Sequence, residues 1–438
     1  MPAWGERTLH FVGIGGAGMS GLALVCAELG ARVSGSDRSE SSYLERLRRA
    51  GLDPAVGHDA ANVPAEAEVV VSTAIPEENP ELAVARERGQ RLLHRGELLA
   101  ELCAEKRLIA IAGTHGKTTT TAMAAWALRR LGADPAFFLG GELPRAGEGD
   151  EAANAAWGAG EWIVAEADES DASFLELRPE VAVVTNVELD HHARWSSRTE
   201  LMAAFRQFAA AADRLALPAD SELDRLVPAG GAGAAIRFDR SAPGPAGLEL
   251  GVPGRHNLLN ARAALAAVEL AGLDSVAAAA ALVDFPGVRR RLERVGSRDG
   301  ALIYDDYAHH PTEVRAALEA LRELGPRRLI AVFQPHLYSR TKALAEQFGA
   351  ALALADEVGV LDVYAAREEP LGELAGVSGL DIAEAAADRA GGRPVWWLVD
   401  AERAEAALRP RLAEGDLLVT IGAGDIFRLA ERLAEERS

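Results

Sequence analysis

Apolar positions along the chain fall into two rhythms. One is a set of short continuous runs bounded by glycine or polar clusters, and the other a set of longer stretches with apolar residues three and four apart. Between residues 8 and 105, runs at Leu9–Val12, Arg32–Ser34 and Val69–Ser72 alternate with helical stretches, as a parallel sheet requires. A second unit starts at the buried-strand pattern Arg107–Ala112. The helix predicted next, Thr118–Leu131, carries Met123, Trp126 and Leu128 and is closed by Gly132. Further strands are predicted at Glu161–Ala165 and Val181–Thr185, each ending where polar residues gather, and a helix at Ala261–Leu270. Residues 220–250, rich in Gly, Pro and Ala, predict loops and at most short strands. A third unit begins near Arg289, with strands at Ala301–Tyr304, Arg328–Phe333, Glu357–Leu361 and Leu417–Ile421. The expected domains are 1–106, 107–288 and 289–438. In such α/β sheets ligand chemistry collects at the carboxyl ends of the strands.

Length changes this picture little, because 438 residues suffice for two to four domains with separate cores. Charge says more. A formal net charge of −20 with no basic run argues against a nucleic-acid partner, so anionic ligands must be met by local donors. The two cysteines, Cys26 and Cys103, form neither a disulfide framework nor a cysteine metal cluster. No segment reads as a signal peptide or a membrane span, and the expected location is the cytoplasm.

Positive charge is carried almost entirely by arginine: there are three lysines. One of them, Lys117, lies in Gly113-Thr114-His115-Gly116-Lys117-Thr118-Thr119, between the predicted strand and helix. A lysine kept there suits a site for a compact ammonium. Strand, glycine turn, lysine, hydroxyl and helix make a phosphate cradle. Backbone N–H groups turn inward, the lysine reaches the terminal phosphates, and Thr118 can ligate Mg²⁺. The spacing is GxxGKT rather than the commoner GxxxxGKT, and the rival reading is a glycine turn with an exposed lysine.

Other clusters stand at predicted strand ends. Gly13, Gly15, Gly16 and Gly18 follow the first strand, with Asp37 at the end of the second. Alone this pattern fits a dinucleotide, a nucleotide sugar or another diphosphate, or a packed turn. The run 166–171, Glu-Ala-Asp-Glu-Ser-Asp, offers hard oxygen ligands for Mg²⁺, or is a solvated acidic loop. His191 follows the strand at 181–185 and gains meaning only beside Glu166 and Thr118. Asn257 and Asn260 fall at a helix start, where they either cap or contact a ligand. Arg289-Arg290-Arg291 could deliver an arginine to a phosphoryl group or be a solvated turn. Tyr307 and His309, then His336 and Arg340, follow neighbouring strands and together suggest a pocket for a small zwitterion.

In order along the chain, GIGGAGMS, GTHGKTTT, EADESD, TNVELDHH, GRHNLLN, GVRRRLE, DDYAHHPTEV, FQPHLYSRT and GAGD resemble the Mur ligases, from residue 9 to about 428. GTHGKTTT, EADESDASF and DDYAHHP resemble most closely the members that act on L-alanine. The resemblance implies an α/β enzyme of three domains: a Rossmann-like UDP-sugar domain, a central P-loop ATPase domain and a Rossmann-like C-terminal domain. It implies that ATP, with Mg²⁺, activates the lactyl carboxylate of UDP-N-acetylmuramate as an acyl phosphate that L-alanine attacks.

By the same resemblance Lys117 and Arg291 stabilise the phosphoryl group, and Gly113–Thr119 with Asn257 and Asn260 bind ATP. Thr118, Glu166 and His191 hold metal, and Gly13, Gly15, Gly16, Gly18 and Asp37 bind the UDP-sugar. Tyr307, His309, His336 and Arg340 form the amino-acid side, with His309 also in the chemistry. Alternatives are a related ligase that adds a preformed peptide and, from the first glycine cluster alone, an NAD-dependent dehydrogenase. The chain departs from the family pattern at His192-Ala193-Arg194-Trp195, where an acidic residue and a tyrosine are usual, and at Leu337, where some relatives carry arginine. No lysine lies between His191 and Arg289, so the carbamylated lysine of other Mur ligases has no counterpart.

Overall fold

The computed structural model describes residues 3–144, 152–188, 195–219, 222–227, 235–239, 248, 250–366 and 368–434. Its strands form three sheets. The first takes β1 (Thr8–Val12), β2 (Arg32–Asp37), β3 (Ala55–Val56), β4 (Glu68–Val71) and β5 (Leu92–His94) in the order β3-β2-β1-β4-β5, all parallel. Its helices are α1 (Ala17–Glu28), α2 (Ser42–Arg49), α3 (Pro80–Glu87) and α4 (Arg95–Cys103).

The second sheet comprises β6 (Arg107–Ala112), β7 (Ala136–Leu143), β8 (Ala153–Ala156), β9 (Trp162–Glu166), β10 (Val181–Val184), β11 (Arg214–Pro218) and β12 (Ala235–Phe238). Their order is β12-β11-β10-β6-β9-β7-β8, with only the β7–β8 pair antiparallel. Helices α5 (Lys117–Arg130), α6 (Arg198–Ala210), α7 (Arg255–Leu270) and α8 (Ser275–Ala281) accompany it.

The third sheet orders β13 (Glu293–Arg298), β14 (Ala301–Asp306), β15 (Arg328–Phe333), β16 (Glu357–Leu361), β17 (Val395–Val399) and β18 (Asp416–Ile421) as β13-β14-β18-β15-β16-β17, with β13 antiparallel. It is accompanied by α9 (Pro311–Glu323), α10 (Tyr338–Leu352), α11 (Gly379–Ala387), α12 (Ala401–Leu408) and α13 (Phe427–Ala434).

The chain divides into two compact units, residues 1–250 with 259–286, and residues 251–258 with 287–438. Within the first unit the first two sheets share a continuous apolar core, running from Leu9 and Phe11 through Leu98 and Leu102 to Ile163, Phe174 and Phe205. Polar contacts secure that junction: Asn154 of β8 donates to Ser20 Oγ of α1 at 3.1 Å and accepts from Arg46 at 3.2 Å. The second unit builds its cores on both faces of the third sheet, around Phe333 and Phe348 on one and Ile303 and Leu418 on the other.

Apolar runs in the sequence marked β1, β2 and β4 of the first sheet, β6, β9 and β10 of the second and β14, β15, β16 and β18 of the third, but not β11, an interior parallel strand of the second. They did not mark β7, which carries Gly140 and Gly141, or the edge strands β8, β13 and β17, whose outer positions need not be apolar. Helix α7 starts at Arg255 rather than Ala261, so Asn257 and Asn260 lie inside a helix, both buried, and neither caps its start. Among the described residues no helix is long and apolar enough to cross a membrane.

Candidate active site

Strand β6 is buried along nearly its whole length and delivers the loop 113–116 to the first turn of α5. Gly113 and Gly116 have φ of +137° and +82°, a region that favours glycine, and neither has room for a Cβ: one would strike Thr185 Oγ, the other Asn260 Oδ1. The loop is tied from the side by the segment after β10. His115 N–H donates to Asn186 Oδ1 at 2.9 Å, Asn186 Nδ2 donates to His115 O at 2.8 Å, and Thr114 Oγ donates to Glu188 O at 2.9 Å. These bonds fix the loop before any ligand arrives.

Lys117 is not an exposed turn lysine. Its side chain is 12% exposed, and Nζ donates to Gly113 O at 2.6 Å and lies 2.8 Å from Glu169 Oε2. Burial works against its charge, but Glu169, Asp168 and Glu166 outweigh burial and hold its pKa above the ordinary lysine value. Burial, reinforced by Asp168, pushes Glu169 up to about 7 against the pull of Lys117. Asp168 is half-buried; desolvation works against its charge, yet Arg95 and Lys117 hold its carboxyl below the usual range. Beside this pair, Thr118 Oγ donates to Glu166 Oε2 at 2.9 Å, and Gly140 N–H reaches the same oxygen at 2.7 Å.

The acidic run is therefore not a solvated loop. Arg95, the first residue of α4, bonds both Asp168 (2.6 Å) and Asp171 (2.8 Å), and Trp195 Nε1 donates to Glu169 O at 3.0 Å. The tryptophan that ends the departure from the family pattern thus buttresses the acidic run. His191, assigned to metal in the sequence, lies outside the described residues.

The first glycine cluster forms a tight turn between β1 and α1. Gly13, at φ +81°, and Ile14 both donate to Ser36 O, at 2.8 and 2.9 Å, and Gly15 N–H donates to Asp37 Oδ2 at 2.9 Å. Asp37 thus shapes the loop as well as closing β2. Gly18 lines a cavity that also takes in Asn154, Glu166, Asp168 and Arg95, so the glycine turn and the acidic run open onto one space within the first unit.

In the second unit, strand ends β14 and β15 bring together the residues expected on the amino-acid side. Four rings form a row: Tyr307 to His309 at 5.4 Å between centroids, His309 to His336 at 6.3 Å, and His336 stacked on Tyr364 at 5.8 Å. His309 Nδ1 lies 3.1 Å from Tyr307 O; a carbonyl can only accept, so Nδ1 carries the proton and the neutral ring presents its lone pair at Nε2. Burial lowers this imidazole to about 4, Glu313 opposing and Arg340 adding to the fall. His256 is likewise lowered to about 4 by burial and by Arg291.

The three consecutive arginines separate. Arg289 is half exposed beside Glu293, while Arg290, at φ +60°, is tied to buried Asp305 (3.0 Å) and to Gly422 O (2.7 Å). The guanidinium of Arg291 lies over Tyr307 at 5.1 Å and has no hydrogen bond or ion pair among the described residues. It is the one of the three left available to a ligand. Its neighbour Asp306 accepts from Leu292 N–H and Ala308 N–H at 2.7 and 2.8 Å, and burial pushes its carboxyl up to about 6.

Family models match three segments: "Mur ligase family, catalytic domain" over residues 8–107, "Mur ligase middle domain" over 111–229 and "Mur ligase, glutamate ligase domain" over 290–424. The chain is 44% identical to a UDP-N-acetylmuramate–L-alanine ligase of Mycolicibacterium vanbaalenii, over all of this chain and 97% of that one. It belongs to the Mur ligase family. A second such ligase, of Streptomyces coelicolor, is 44% identical over 98% of this chain and 97% of its own. Among solved structures, the UDP-N-acetylmuramate–alanine ligase of Thermotoga maritima superposes with a TM-score of 0.82 at 30% identity, covering 98% of each chain. A murein peptide ligase of Psychrobacter arcticus gives 0.72 at 26%, with the same coverage. As a Mur ligase the chain is an enzyme, and the dehydrogenase reading of its first glycine turn falls away.

Sequence reading gave no role to Glu169, Asn186, Asn154, Tyr364 or Arg95. The first two lay within motifs already marked, and their partners could have been sought there; the other three carried no signal.

Proposed function

We propose that this chain joins L-alanine to the lactyl carboxylate of UDP-N-acetylmuramate at the expense of ATP. The reading is carried by full-length relatives at 43–45% identity that bear this activity in their names. The substrate carboxylate attacks the γ-phosphorus, ADP leaves, and the alanine amine displaces phosphate from the acyl phosphate through a tetrahedral intermediate. Lys117, charged and fixed by backbone carbonyls and Glu169, stabilises the moving phosphoryl group, and Arg291 adds a second positive charge to it. The proposed domains are 1–106, 107–288 and 289–438, and the proposed location is the cytoplasm.

A Mg²⁺ ion fits the pair Thr118 and Glu166, a hydroxyl and a carboxylate already in contact at 2.9 Å and both hard oxygen donors. When bound it would spread the charge of the transferring phosphate; His191 is the family's further ligand. On the acceptor side, Arg340 holds the alanine carboxylate and the lone pair of His309 Nε2 receives a hydrogen bond from the amine. With a pKa of about 4 this imidazole orients the amine and is too weak a base to carry its proton away at neutral pH.

Phosphate release measured with each substrate omitted tests the reading. Release that needs ATP, UDP-N-acetylmuramate and alanine together supports it. Release supported by a tripeptide and not by alanine gives the peptide-adding ligase instead.

A further inference from the structure

The cavity shared by the first glycine turn and the acidic run has carboxylates on its wall, Glu166 and Asp168, and a single cationic side chain, Arg95. The substrate proposed above must place its own carboxylate in this region, between a diphosphate at the α1 turn and the phosphate loop. Two wall carboxylates would repel it. From this we infer that Arg95 receives and orients the lactyl carboxylate of the nucleotide sugar, an inference that rests on the proposed function and adds a residue to it.

The guanidinium is held for such a task. Its NH2 nitrogen is shared by Asp168 at 2.6 Å and Asp171 at 2.8 Å, which fixes the plane of the fork. Its NH1 nitrogen stands 3.4 Å from the place a Cβ would take at Gly18, in the first turn of α1. Neither NH1 nor Nε has a hydrogen-bond partner among the described residues. The α4 start that carries Arg95 is pressed so closely on the acidic run that a Cβ on Gly96 would collide with Ser173. The two carboxylate bonds hold the guanidinium in place, and its NH1 group, turned toward Gly18, remains to donate to a carboxylate oxygen. A clamp serving only Asp168 and Asp171 would leave no reason for the remaining donors to face the cavity where Gly18 and Glu166 meet.

Calorimetric titration separates the two roles. Wild type, Arg95→Ala and Arg95→Lys are titrated with UDP, with UDP-N-acetylglucosamine, which lacks the lactyl group, and with UDP-N-acetylmuramate. Expected is a loss of about tenfold or more for UDP-N-acetylmuramate in Arg95→Ala, the scale of a charge-assisted bond, with UDP and UDP-N-acetylglucosamine within about twofold of wild type. Arg95→Lys, keeping the charge without the fork, should lie between, and it serves as the test if the alanine variant melts early. An equal loss on all three ligands, or no loss on any, overturns the inference. Wild type that binds no UDP-sugar at all would instead overturn the functional reading.

Discussion

Thr118 Oγ and Glu166 Oε2 meet at 2.9 Å across 48 residues of chain, one at the start of α5 and the other at the end of β9. The contact makes Glu166→Gln an informative change. The amide keeps the shape and one oxygen to accept from Thr118 and Gly140, so the fold should hold, but it removes the anionic charge a divalent cation needs. The expected result is a Mg²⁺ titration of activity displaced to higher concentration by roughly tenfold or more, with an unchanged melting temperature. An unmoved titration would take Glu166 out of the metal site.

Lys117→Ala should abolish ligation by about a hundredfold or more while UDP-sugar affinity stays near wild type, because the lysine serves the phosphoryl group. Lys117→Arg should fail too. The ammonium sits among Gly113 O, Thr114 O and Glu169 with its side chain 12% exposed, and a planar fork cannot occupy that point. Retention of more than about a tenth of wild-type turnover by either variant would refute the assignment.

Arg340→Ala should raise the alanine KM by about tenfold and leave the ATP KM nearly unchanged, since its charge is felt at His309 on the row of rings. His309→Ala should lower kcat instead. Because Nε2 is already unprotonated above pH 5, His309 adds no inflection near pH 6.5, and the kcat/KM profiles for alanine of wild type and variant should have the same shape there. Kinetics that vary one substrate at a time, repeated across pH, check both statements, and an ATP-side defect in Arg340→Ala would move that residue to the phosphate site.

Burial also sets the acid sensitivity of the second unit. His256 and His309 stand at about 4 when folded against an ordinary 6.5, so an unfolded chain takes up protons that the folded one refuses. Their contribution to stability is complete above pH 6.5 and is lost as pH falls from 6.5 toward 4. Asp306, raised to about 6, and Asp305, also raised by burial, work the other way over part of this range. Replacing His309 by Asn should remove roughly 2 kcal/mol of the decline between pH 7 and 5. Melting curves at the two pH values check it; equal declines in wild type and variant would show that His309 is protonated in the fold.

Much of this site was legible because its residues sit where buried strands stop. Val181–Val184, a run of four apolar residues, announces a strand, and polar Thr185-Asn186 just beyond must then lie at its carboxyl end. Lys117 stood out by rarity and spacing, and Thr118 and Glu166 by chemistry. Pairing was not legible. The contact of Lys117 with Glu169 spans 52 residues, and that of Arg95 with Asp168 spans 73. Such pairs follow from sheet order, since β6 lies between β10 and β9, and no local pattern encodes that order. The choice among Arg289, Arg290 and Arg291 was hidden for another reason: it turns on a left-handed backbone at Arg290 that aims one side chain at Asp305 and leaves the next free.

The scarcity of lysine gives the chain a built-in footprinting reporter. Among side chains, amine-directed acylation can mark only Lys106, Lys117 and Lys342, and these stand in different settings. Lys106 Nζ is bonded to Gly158 O and Gly160 O, Lys342 reaches Glu373 O at the surface, and Lys117 lies in the phosphate loop. Lys117, ion-paired to Glu169 with its side chain 12% exposed, should be the slowest of the three to react, so mass spectrometry of a briefly acylated sample reads opening of the loop at one peptide, with the other two as internal standards. An arginine-rich protein surface, ordinarily a feature of solubility alone, here confines the label to three side chains, one of them in the loop at the start of α5.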